Sequence, residues 1–127
     1  MKLDKDLVRE ILLAVEDSDH SPEESITLSL KSRTPQEVSY HVMLLHEAGL
    51  IVGRDASVLA DVFPVWQPKR LTYRGHEFLD TVRDNEVWRR TKAGAEKAGV
   101  ASLGLILEIG KAYGKEVLKE KLGIEMP

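Results

Sequence analysis

The amino-acid sequence predicts an α+β fold, mainly α, in the order helix–strand–helix–β-hairpin–helix with a C-terminal helical extension. Three observations predict it. Start and stop residues bracket a helix over Thr34–Gly49, which runs straight into the apolar residues Leu50, Ile51 and Val52. Proline-punctuated apolar residues over Leu50–Thr72 then form a hairpin pattern. From Thr72 onward apolar residues recur at helical spacing almost to the end of the chain.

In the first helix, Asp4–Asp17, Leu7, Val8, Ile11, Leu12 and Val15 fall on one face, the spacing of an amphipathic helix with a buried stripe. Asp4 or Asp6 favours its N-terminus. A polar loop with Pro22 follows. In Ser25–Lys31, Ile26, Leu28 and Leu30 alternate with polar residues, and a period of two predicts a half-buried strand over the competing short amphipathic helix, on which the three would fall on different sides. Thr34, Pro35 and Glu37 then make a capping box with proline at the first helical position. Val38, Val42 and Leu45 form the inner stripe of that helix, with His41 beside it. Gly49 ends it, because glycine tolerates the left-handed conformation of a helix stop.

The hairpin has its first strand at about Leu50–Val52 or extending to Ser57, and its second over about Phe63–Thr72, with Asp55–Asp61 between them read as strand and loop or as a small turn of helix. Pro64 and Pro68 each remove a ladder donor, so the second strand is an edge strand, is bulged, or is two short pieces. Helices are predicted over Thr72–Val82, Asn85–Ala98 and from Ser102 to about Leu122. Residues 1–84 form the expected main domain and residues 85–127 the extension. In the last helix, Gly110 and Gly114 would admit a second helix closely. The expected homodimer therefore pairs Leu103–Leu118 with its symmetry mate, the alternative being packing within the chain.

With 127 residues, 43% hydrophobic and 31% charged, the chain has the composition of an ordinary globular domain. It has no cysteine, which removes thiolate catalysis and disulfides and agrees with an expected cytoplasmic location. No signal peptide is read at the N-terminus. The longest apolar run, Val100–Ile109, is about half the ~18 residues of a membrane span and contains Glu108. The net charge of −3 is unevenly distributed: residues 1–28 balance at −5, and residues 69–90 at +2.

Two segments carry a family resemblance. EVSYHVMLLHEAGLI is similar to the recognition-helix segment of winged-helix regulators of the arsenical-repressor class. RLTYRGHEFLDTVRD resembles the segment after the wing, with Leu71, Thr72, Gly75, Phe78 and Leu79 at the matching positions. With the LDKDLVREILL start and the DNEVWRRTK tail, nearly the whole chain resembles a prophage-associated family of uncharacterised small winged-helix proteins. The resemblance implies a winged helix that binds double-stranded DNA, a transcriptional regulator of phage or prophage origin. The alternative is a winged-helix module that binds a protein partner. One departure is the strand at Ser25–Lys31, where such regulators carry a helix.

On the DNA reading, Gln36, Ser39, Tyr40 and Met43 on the outer sides of the helix reach base edges or phosphates. Lys31 and Arg33 before the helix and Lys69, Arg70 and Arg74 at the end of the wing supply phosphate contacts. The alternative places the same residues on a solvated or partner-bound face. No catalytic, metal or cofactor site is expected. His41 is read as a hydrogen-bonded structural histidine. His41 and His46 at i, i+5 do not share a helical face, and His76-Glu77 lacks the second histidine of a zinc-peptidase motif.

Overall fold

The computed structural model describes residues 1–99 and 102–123. The elements are α1 (Lys5–Asp17), α2 (Pro35–Glu47), β1 (Ile51–Asp55), β2 (Trp66–Leu71), α3 (Tyr73–Val82), α4 (Asn85–Ala98) and α5 (Leu103–Leu122). This is an α+β chain, mainly helical, with one two-stranded antiparallel sheet. It divides into two compact units, residues 1–76 and 77–127; the division falls inside α3, earlier than the residue-84 boundary suggested by the sequence.

In the first unit, α1 starts where the Asp4 carboxylate accepts the Leu7 N–H at 3.1 Å, satisfying a donor that has no partner inside the helix. Leu7, Val8, Ile11, Leu12 and Val15 are its buried face. At the start of α2, Thr34 Oγ1 accepts the Glu37 N–H at 3.1 Å and Pro35 occupies the first turn. Val38, Val42 and Leu45 are buried as the 3.6-residue period requires. Gly49 ends the element at φ +76°, a conformation without steric cost only for glycine.

β1 and β2 pair with an irregularity between Val52 and Gly53. Val52 faces Arg70 while Gly53 faces Pro68, so Lys69 is the extra residue of a bulge. Pro68 causes it, since its ring nitrogen cannot donate to the ladder. The same proline corrects the expectation of a strand at Ser25–Lys31. That segment alternates half-buried Ile26, Leu28 and Leu30 with exposed Thr27 and Ser29, as expected, but it is not a strand. One backbone bond joins it to β2, from Ile26 N–H to the Pro68 carbonyl at 2.8 Å. Pro68 accepts but cannot donate in return, so the ladder stops after one rung. The second hairpin strand is also shorter than Phe63–Thr72, beginning at Trp66.

The hairpin and the first turn of α3 are fastened to the end of α2. Thr72 N–H donates to the Leu50 carbonyl at 3.0 Å and Thr72 Oγ1 donates to the Gly49 carbonyl at 2.5 Å. Thr72 Oγ1 also accepts the Gly75 N–H at 3.0 Å, which caps α3.

In the second unit, Asp84 caps α4 through the Glu86 and Val87 N–H groups. Those two bonds lower its pKa after the larger effect, the hydrogen bond from Lys121, and together they outweigh desolvation. The helices α4 and α5 pack on each other. Ile106, Leu107, Gly110 and Val117 are the buried residues of α5. Gly110 lies so close to Thr81 that an added Cβ would come within 3.1 Å of its methyl group. Much of the face expected to pair with a symmetry mate is thus occupied within the chain. Arg90 fastens the hairpin of helices, lying 3.0 Å from Glu86 and 3.4 Å from Glu120. Val100, Ala101 and residues 124–127 lie outside the described residues. No helix among the described residues is long and apolar enough to cross a membrane.

Candidate functional site

Helix α2 and the hairpin carry most of the residues singled out from the sequence; these, with one loop outside that set, fall into three groups. Gln36, Tyr40 and Met43 come together with Phe63, Pro64 and Trp66 around a shallow cavity of about 70 Å³. Gln36 is exposed, while Tyr40 and Met43 are half-buried. The His46 ring lies 5.3 Å from that of Trp66, and His46 Nδ1 accepts the Gly53 N–H at 3.0 Å. These contacts fix the outer face of α2 against β2.

Ser39 does not belong to that surface, which corrects its assignment as a DNA-contacting residue. It is buried, at 5% exposure. Its Oγ donates to the Pro64 carbonyl at 2.5 Å and accepts the Trp66 N–H at 2.7 Å. The hydroxyl holds the chain entering β2, where Pro64 has interrupted the ladder. Ser39→Ala is expected to leave the Trp66 N–H without an acceptor and to destabilise the first unit by about 1–3 kcal/mol. Chemical denaturation measures the loss, and faster amide exchange at Trp66 locates it.

Arg33 is also withdrawn from the expected set. Its side chain is 18% exposed and lies 2.6 Å from Asp4 Oδ2 and 3.0 Å from Glu10 Oε2, with Glu37 at 3.9 Å. A guanidinium held by carboxylates from α1 is not free for a phosphate. Burial alone would push the Asp4 carboxyl up, but bonds from the Leu7 N–H and Arg33 outweigh it and hold Asp4 below its ordinary value of 3.8. A depressed folded-state pKa gives stability that is present above the ordinary carboxylate range and is lost as pH falls through the folded-state value. Acid unfolding is therefore expected to be less steep below about pH 4 in Arg33→Gln than in the parent, because that variant has less of this stability to lose. Circular dichroism against pH measures the difference.

The other bases occupy different surroundings. Lys31 and Arg74 are exposed. Lys69 and Arg70 line a second cavity, about 150 Å³, together with Glu16, His20 and His76. His20 Nε2 donates to the Lys69 carbonyl at 2.9 Å, and Arg70 Nη1 donates to the Leu71 carbonyl at 3.1 Å. This cavity shares no lining residue with the one on α2. The bases of the hairpin and the outer residues of α2 are not brought to one cavity.

The third group is the loop between β1 and β2, whose side chains sequence reasoning passed over. It is tightly ordered. Asp55 Oδ1 accepts the Ser57 N–H at 3.0 Å, Asp61 Oδ2 accepts the Val58 N–H at 2.7 Å, and Ser57 Oγ accepts the Val65 N–H at 2.7 Å. The loop closes with Ala56 N–H to the Val65 carbonyl at 2.8 Å. Bonds from the Ser57 side chain and backbone hold the Asp55 carboxyl below its ordinary pKa. On this frame Val58 is 65% exposed, Val62 97%, and Leu59 fully. Three aliphatic side chains thus stand in solvent on a well-bonded turn with a carboxylate at either side. From Asp55 to Pro68 there is no lysine or arginine. That absence, with SVLADV where polar turn residues are the rule, was the available signal.

Among the described residues no three His, Asp or Glu side chains are placed to hold a metal ion. Residues 2–101 match the family described as "Hypothetical protein (DUF2513)". The chain is 32% identical over 122 residues to an "Uncharacterized protein" of Haemophilus influenzae, covering 96% of this chain and 99% of that protein. No solved structure matches it.

Proposed function

We propose that this chain, which belongs to the DUF2513 family of hypothetical proteins, is a winged-helix module that binds a protein partner. In this reading α1, α2, the hairpin and α3 are the winged helix, and the hairpin loop is the tip of its wing. The observation that carries it is the hydrogen-bonded loop presenting Val58, Leu59 and Val62 beside Asp55 and Asp61. Burying an aliphatic side chain of this size is favourable by about 1.5–3 kcal/mol, and a contiguous apolar patch with a polar rim is characteristic of an interaction site. A wing tip that follows DNA needs cations for the phosphates; the tip of this one, Asp55 to Pro68, carries two aspartates and no lysine or arginine.

A second reading, a DNA-binding transcriptional regulator of phage or prophage origin, is favoured by one observation. Among the described residues the bases around α2 and the hairpin, Lys31, Arg54, Lys69, Arg70 and Arg74, have no ion-pair partner, leaving five cations available to phosphates. Two measurements separate the readings. A photo-crosslinking residue in place of Leu59, used in cells, is expected to give a protein adduct; its absence overturns the protein reading. Duplex binding at about 50 mM salt, where phosphate contacts are strongest, is expected to be absent. Binding that falls steeply with salt and is weakened by Lys69→Ala and Arg74→Ala supports the regulator.

A further inference from the structure

Residues 77–127 carry an open groove of about 590 Å³ along α5, with Val87, Gly114, Val117 and Leu118 among its lining. Leu118 is 43% exposed. An added Cβ at Gly114 would meet no heavy atom within 4 Å, whereas one at Gly110 would meet Thr81 and Val82. The space beside Gly114 is therefore not filled by its own unit. Three carboxylates also line the groove, and each has a cation: Asp80 lies 2.8 Å from Arg83, Asp84 2.8 Å from Lys121, and Glu108 3.7 Å from Lys111. Lys115, on the same wall, has no partner among the described residues.

We infer that the partner of the hairpin loop is a second copy of this chain, whose α5 groove receives Val58, Leu59 and Val62, the exchange being reciprocal. This rests on the protein-interaction reading and names its partner. Size and charge both fit. The three side chains have ten carbons, which at about 30 Å³ each, the share of a water molecule in the liquid, need roughly 300 Å³. The unneutralised charges are complementary, with Asp55 and Asp61 on the loop and Lys115 in the groove. Loop against loop would instead bring four carboxylates together, and an anionic lipid surface would meet the same two carboxylates. Reciprocal exchange makes two identical contacts about a twofold axis and closes, whereas one-way insertion would propagate into a filament.

Sedimentation of the full chain over a concentration series tests this, with two variants. Leu59→Asp changes a fully exposed side chain. Gly114→Leu fills the groove from a helical position where a side chain meets nothing. The parent is expected to dimerise, and each variant alone to do so about a hundredfold to ten-thousandfold more weakly, because exposing one aliphatic side chain is worth about tenfold to a hundredfold and the reciprocal dimer carries each change twice. An equimolar mixture of the two is expected to regain part of the association, because one of the two contacts, the groove of one with the loop of the other, remains intact. A monomeric parent, or undiminished dimerisation by either variant, overturns the inference. So does a mixture that fails to pair. If the parent is monomeric while the crosslinker at position 59 captures a protein of different mass, the inference falls and the interaction reading stands. If no protein is captured, both fall.

Discussion

Gly75→Ala is expected to destabilise the first unit by about 4 kcal/mol or more, combining overpacking with the loss of neighbouring hydrogen bonds. A Cβ at this position would lie 1.9 Å from the Leu50 carbonyl oxygen and 2.9 Å from its carbon. The obstacle is backbone, which no rotamer change can move. Relief requires the first turn of α3 to retreat from Leu50. That retreat pulls on Thr72, whose N–H is bound to Leu50 and whose hydroxyl joins Gly49 to Gly75. Against a typical total stability of about 5–15 kcal/mol, the loss should appear as a large drop in the denaturation midpoint. Thr72→Val, which keeps the shape and removes only the hydroxyl, is the comparison and is expected to cost about 1–2 kcal/mol. A Gly75→Ala protein within 1 kcal/mol of the parent would mean that the close approach to Leu50 does not exist.

The same junction shows what was legible in the sequence. Ala-Gly-Leu at residues 48–50 and Leu-Thr-x-x-Gly at 71–75 are separate local patterns in the sequence, and the contacts of Thr72 and Gly75 with Gly49 and Leu50 explain why both are present. Local signals of this kind were readable because their partners lie within one turn: Thr34 with Glu37, and Asp4 with Leu7. Readings failed where a partner was distant in sequence. Ser39 borders the stripe of Val38 and Val42, and what buries it is chain 25 residues further on, at Pro64. Arg33 looked like a free cation because its carboxylates are on α1, 23 and 29 residues earlier. The hairpin loop has no periodicity, so Val58, Leu59 and Val62 carried only the compositional signal of apolar residues where a turn is usually polar.

His41→Leu is expected to destabilise the first unit by about 1–3 kcal/mol although it preserves bulk, because it removes an acceptor from a largely enclosed donor. His41 is 1% exposed. Its Nε2 accepts the Asp4 N–H at 2.9 Å, and its Nδ1 donates to the Glu37 carbonyl at 2.8 Å. Those roles require the neutral ring with its proton on Nδ1, a tautomer that nitrogen chemical shifts identify directly. His41→Ala adds a cavity, and its total cost is expected to reach about 3–5 kcal/mol; the gap between the two variants isolates the packing contribution. Asp4 is held at both ends, its N–H by His41 and its carboxylate by Arg33, so the two grips on the start of α1 should reinforce each other. In a double-mutant cycle, His41→Leu and Arg33→Gln are therefore expected to be non-additive by about 0.5–3 kcal/mol. Additivity within error would mean that the entry to α1 is fixed by its buried face alone, with Asp4 a passenger on it.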